Sequence, residues 1–154
     1  MTYKEYREQR QSEFNKLPVF FAFSNDQLER ELNERGYTLD EAGEVLYRFG
    51  NGGFYLKKDA DIIRAFLEKD SDEELREIMK ADKEFAAEAI EYEMLNHEYP
   101  INWQGDWDVA SCFGSVEYGT DKYGEDYLKE LGFGEDMVEI WKQCARKVRN
   151  SYDW

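Results

Sequence analysis

Between Asp82 and Pro100 the chain reads D-K-E-F-A-A-E-A-I-E-Y-E-M-L-N-H-E-Y-P. Phe85, Ala86, Ala89, Ile90 and Met94 recur at helical spacing and share one broad face. Asp82 is placed to cap the start, and Pro100 stops a helix expected to run to about Glu98. An amphipathic helix of this kind must be covered by other elements. The same arithmetic puts Glu93 and His97 inside the apolar face, four residues apart and able to touch. Glu84, Glu88, Glu91 and Glu98 fall on the opposite face. One stretch therefore demands a packed core, places a carboxylate inside it and turns four others outward.

The segments that could cover this helix are legible on both sides of it. Thr2 to Lys16 reads as a helix, with Thr2 and Glu5 as a capping box, ended by Pro18. Val19–Phe23 has strand composition. Ser24 can cap the next helix, with Gln27 three residues on, Leu28 and Leu32 inward, and Gly36 as the stop. Val45–Phe49 and Phe54–Lys57 flank G-N-G-G, which supplies the positive φ of a tight hairpin. The nucleotide-cradling glycine patterns are absent from that turn. Asp59 to Lys69 is expected as a helix with Ile62, Ile63, Phe66 and Leu67 inward. A second short helix runs from Ser71 to Lys80. Asp106 or Asp108 is expected to cap a short helix through Cys112, and two closing helices follow at Asp126–Leu131 and Glu135–Asn150. The expected fold is a single α+β domain over residues 1–154. It is mostly helical, with a small antiparallel β-sheet of about three strands.

The balance of charge excludes several functions. Twenty basic residues against 35 acidic ones leave a net charge of −15. That field repels phosphates and anionic membrane, so direct nucleic-acid binding is not expected. Basic residues of the last helix, Lys142, Arg146, Lys147 and Arg149, are expected to dock internally or to limit self-repulsion. With no signal-type start and no 18-residue apolar run, the expected location is the cytoplasm. Cys112 and Cys144 lack metal-type spacing and are expected as reduced thiols; neither a cofactor nor a metal site is predicted. Asp106 and Asp108 lack the rest of a calcium loop.

From Glu84 to Asp121, 38 residues contain nine carboxylates and no Lys or Arg. Most exposed helices alternate acids with lysines, and this one does not. Carboxylates along a rigid helix can imitate backbone phosphates and occupy a basic groove. The candidate binding residues are Glu84, Glu88, Glu91, Glu98, Asp106 and Asp108, with Trp103 and Trp107 as anchors. Burial of both tryptophans is the competing expectation, and the one preferred. An enzyme reading uses Glu93 to orient His97 as a general base in a small hydrolase or transferase. The preferred reading of that pair is structural, since a buried carboxylate needs a partner. Self-association through aromatic surface is a third option.

G-G-F-Y-L-K at 52–57, N-H-E-Y at 96–99 and N-W-Q-G-D-W-D at 102–108 resemble small acidic proteins carried by phages and mobile elements of gut bacteria. That resemblance implies a setting of conflict between mobile DNA and host. It brings anti-CRISPR proteins to the comparison and makes a CRISPR nuclease one expected partner. It carries over no functional residue.

Overall fold

The computed structural model describes residues 1–69 and 71–152. The class is α+β, mostly helical, with one three-stranded antiparallel sheet. In chain order the elements are α1 (Tyr3–Asn15), β1 (Val19–Phe21), α2 (Asn25–Glu34), a 3-10 turn (Leu39–Glu41), α3 (Ala42–Val45), β2 (Leu46–Phe49), β3 (Gly53–Leu56), a 3-10 turn (Lys57–Asp59) and α4 (Ala60–Glu68). Then come α5 (Ser71–Ala81), α6 (Lys83–Asn96), a 3-10 turn (Tyr99–Ile101), α7 (Gly105–Ala110), α8 (Gly124–Glu130) and α9 (Glu135–Ser151). The chain gathers into two compact units: residues 9–69, and residues 1–8 with the described part of 70–154.

The unit of residues 9–69 is organised by the hairpin. Gly50 and Gly52 take φ of +63° and +78°, the left-handed region that glycine enters without steric cost, in the three-residue turn that separates Phe49 from its partner Gly53. β3 is central, in the order β1-β3-β2. Tyr47 faces Tyr55, and Phe20 faces Phe54 in register. Leu32 of α2 and Ile63 of α4 are buried in this unit. Arg35 lies over the Phe20 ring at 4.0 Å while its guanidinium holds Glu31 at 2.7 Å. Ser24 caps α2 as expected, accepting the Gln27 N–H. The expected inward positions of α4 are partly corrected. Ile63 is buried and Phe66 half-buried, but Ile62 and Leu67 are exposed. Phe66 meets Phe14 at 6.3 Å.

The other unit is built around α6. Phe85, Ala86, Ala89, Ile90, Glu93 and Met94 are all buried. α9 runs beside it in the same direction: Lys83 pairs with Asp136 near both starts, and Lys147 reaches Glu91 at 3.0 Å further along. Of the basic residues of α9, Lys147 thus reaches α6 from an exposed position, and Arg149 lies over the Tyr99 ring at 5.4 Å. The start of α1 closes another side, with its capping box formed between Thr2 and Glu5. Tyr3 and Tyr6 meet the Phe85 ring edge-on at 5.7 and 5.9 Å.

Several expected boundaries shift. Val45 closes α3 and Lys57 opens a 3-10 turn, so β2 and β3 are each displaced by a residue, and α8 begins at Gly124. α6 ends at Asn96, because His97 is its C-cap and Glu98 sits at φ +52°, outside the right-handed helix. β1 ends at Phe21; Phe23 instead gives its N–H to the Gln27 side chain at 2.8 Å. α7 has Gln104 at its N-cap position, without a side-chain cap, and ends at Ala110, short of Cys112. Among the described residues no helix is long and apolar enough to cross a membrane.

Phe85→Ala removes a fully buried ring that two tyrosines pack against. Urea unfolding should show a loss of about 3–5 kcal/mol; a loss under about 1 kcal/mol would mean that this interface carries little of the core.

Candidate functional site

The polar centre of the α6 unit is assembled from four segments. Glu93 is 7% exposed, the one charged residue among those buried in the described structure. Helix geometry sets His97 one turn later, with Nε2 3.4 Å from Glu93 Oε2. Cys112, just after α7, brings Sγ to 3.3 Å from the same Oε2 and 3.4 Å from the same Nε2. Tyr3 at the start of α1 donates its hydroxyl to Glu93 Oε1 at 2.9 Å. The α6 terminus is held by Asn102, whose amide donates to the His97 carbonyl at 3.0 Å and to Asp108 Oδ2 at 2.7 Å.

Electrostatics keep two of these groups protonated. Burial, and then the charge of Glu93, pushes the Cys112 thiol far above its ordinary range. The same two causes raise the Tyr3 phenol. A thiol nucleophile needs the opposite shift, toward thiolate. The orientation also matters. In a nucleophile–imidazole–carboxylate relay, the nucleophile and the carboxylate engage different ring nitrogens. Here both meet Nε2. Glu93, His97 and Cys112 are all metal-ligating residue types, and their donor atoms lie within 4.8 Å of one another.

The sequence places Glu93 beside His97, and the structure brings them together. Tyr3 and Cys112 were missed as partners of Glu93, because they are its neighbours in space only; Asn102, five residues beyond His97, was missed because an asparagine in a loop does not announce which carbonyl it bonds. The helical register of Glu93 and His97 could flag the centre, but nothing local flags these three.

A second surface lies on the same unit. Trp103 is 82% exposed, against the expectation of burial. Its ring stands edge-on to Tyr118 at 6.3 Å, and Tyr118 in turn to Trp107 at 5.9 Å. Trp107 is half-buried because its indole N–H donates to the Val116 carbonyl at 2.9 Å. The segment after α7 has little regular structure but is tied at several points. Tyr127 bonds both backbone groups of Gly119 at 3.2 Å. Lys122 bridges the Glu117 carbonyl and Glu130. Tyr123, 70% exposed, and Ile101, 62% exposed, add apolar surface.

The other candidate residues are placed variously. Glu84 and Glu98 are exposed. Glu88 accepts the Tyr3 N–H at 3.1 Å, and Glu91 pairs with Lys147. Asp106 takes the Tyr99 hydroxyl at 2.5 Å, and Asp108 takes the Asn102 amide. The carboxylates of α6 therefore do not form one free row.

A protein-family model matches residues 2–152 of the chain. The chain belongs to DUF7659, a family of unknown function. Searches of curated proteins and of solved structures gave no match. For this DUF7659 chain the chemistry must be argued from its own residues.

The raised thiols have a consequence for stability. Below the ordinary thiol value of 9.0, both are protonated whether the chain is folded or not. Above it the unfolded chain releases protons that the folded chain keeps, so stability falls with rising pH. The loss from Cys144, pushed up to about 11 mainly by burial, is complete once that value is passed. Cys112 continues the fall further. Urea midpoints should decrease between pH 9 and 11, and Cys112→Ala should flatten the decrease; an unchanged slope in that variant would contradict the assignment.

Proposed function

We propose that this chain acts by binding and not by catalysis, docking its acidic, aromatic face on a basic, nucleic-acid-binding protein in the cytoplasm. The observation that carries this reading is Trp103. A tryptophan 82% in water, set against a tied aromatic scaffold, is the kind of anchor that protein interfaces desolvate. It lies within the 38 residues that hold nine carboxylates and no Lys or Arg. Exposed Glu98, Glu117 and Asp121 belong to the same span. Charge complementarity then favours a basic partner, and occupation of its phosphate-binding groove would inhibit it. The likeness to acidic proteins of phages and mobile elements makes CRISPR nucleases the first partners to test. A hydrolase or transferase using His97 and Glu93 is less well supported, because the nearest nucleophile is held protonated and shares a ring nitrogen with the carboxylate.

The test is binding to a panel of basic nucleic-acid-binding proteins, CRISPR nucleases included, at several salt concentrations. Trp103→Ala should weaken binding by about 2 kcal/mol, roughly 30-fold, with the thermal midpoint unchanged. Absence of binding across the panel at physiological salt, or full affinity in the variant, would sink the reading.

Charge changes separate further. Glu84→Gln with Glu98→Gln should slow association and flatten its salt dependence without affecting stability. Glu88→Gln with Glu91→Gln should also lower the thermal midpoint slightly, because those two hold α1 and α9. An equal midpoint in both double variants would remove that distinction.

A further inference from the structure

We propose that Glu93, His97 and Cys112 form a binding site for a zinc-class divalent cation. Three donor atoms of three different chemistries converge on one point. Oε2 and Sγ are 3.3 Å apart, Sγ and Nε2 3.4 Å, and Nε2 and Oε2 3.4 Å. Zinc bonds of about 2.0–2.3 Å at tetrahedral angles hold their ligand atoms about 3.3–3.6 Å apart. The triangle is therefore the size such an ion needs before any side chain moves. A catalytic relay would spread its groups along the two ring nitrogens; a metal site gathers them at one.

The surroundings suit the ion. Tyr3 donates to Oε1, the carboxylate oxygen outside the triangle, which orients Glu93 as an outer hydrogen bond orients a ligand. The His97 side chain is 32% exposed and Glu93 9%, so one edge is open for entry while the other side is closed. The charges balance, because a dication meets one carboxylate and one thiolate. Binding converts the Cys112 S–H to an S–metal bond and releases its proton to solvent. That exchange replaces a protonated thiol, which serves only one acceptor at a time, with a centre that all three donors share. With three protein ligands, a fourth position remains for water or a ligand.

The test uses the full chain, stripped with a chelator and titrated with cobalt(II) as a spectroscopic stand-in, then with zinc. One equivalent of cobalt should give a thiolate charge-transfer band with the visible bands of tetrahedral coordination, and zinc should erase both. Cys112→Ser should lose the thiolate band, while Cys144→Ala keeps it. Zinc should protect Cys112 of the unaltered chain from alkylation at least tenfold, read by peptide mass mapping, a measurement that needs no variant to fold. Tyr3→Phe should weaken zinc binding about 10-fold or more, a change that a purely packing role for the hydroxyl would not produce. Cobalt without a thiolate band, a band surviving in Cys112→Ser, or Cys112 alkylated equally fast with and without zinc would each overturn the proposal.

Discussion

The α6 unit depends on keeping a carboxylate inside its core. Glu93 faces Phe85, Ala89 and Met94 along one side of the helix, and all are buried. An unbonded carboxylate there would cost several kcal/mol or more. Its oxygens are met by Tyr3, Cys112 and His97. Those partners come from α1, from the chain after α7, and from the last turn of α6 itself. The carboxylate therefore fixes where two other segments must lie. Apolar packing alone would accept several positions of the α1 start; the Tyr3 hydroxyl accepts one.

The sequence made the local part of this legible. An i, i+4 pair on an amphipathic helix is set by backbone geometry, so Glu93 and His97 could be placed together without knowing the fold. The hairpin and the Ser24 cap were readable for the same reason, since glycine at positive φ and a side-chain oxygen at a helix start act over a few residues. Tyr3 and Cys112 are 90 and 19 residues from Glu93 in sequence, and nothing local marks either as its partner. Trp103 fails differently. Aromatic composition favours burial on average, but which tryptophan is buried depends on whether its N–H finds an acceptor. Trp107 finds the Val116 carbonyl, while Trp103 is left in water. The exposure of Ile62 and Leu67 is likewise unmarked locally; the α4 side chains turned inward are Ile63 and Phe66, and Phe66 meets Phe14 in a tertiary contact.

The carboxylates do several jobs, and net charge hides the difference. Glu93 is an interior acceptor for the Tyr3 hydroxyl and the Cys112 thiol, beside the His97 ring. Asp106 and Asp108 accept hydrogen bonds from Tyr99 and Asn102 and so set the entry to α7. Glu88 and Glu91 secure neighbouring helices. On the binding reading, what would remain for a partner is the exposed remainder, Glu84, Glu98, Glu117 and Asp121. A count of acids along α6 suggests a phosphate-like rod; their hydrogen bonds reduce it to a smaller set of exposed acids.

That reduction changes how affinity would arise. The segment from His97 to Cys112 is closed at both ends: Asn102 ties the His97 carbonyl to Asp108, and the Cys112 thiol reaches both the Asp108 carbonyl and Glu93. Trp103 stands on the short loop between these ties, one residue from Asn102. A ring held this way has little backbone freedom to lose on docking, so more of its desolvation appears as binding free energy. The exposed acids act differently, through a long-range field that speeds encounter and weakens with salt. In the proposed complex, anchor and field would therefore govern different rates: dissociation through Trp103 on its pinned loop, and arrival through the exposed acids.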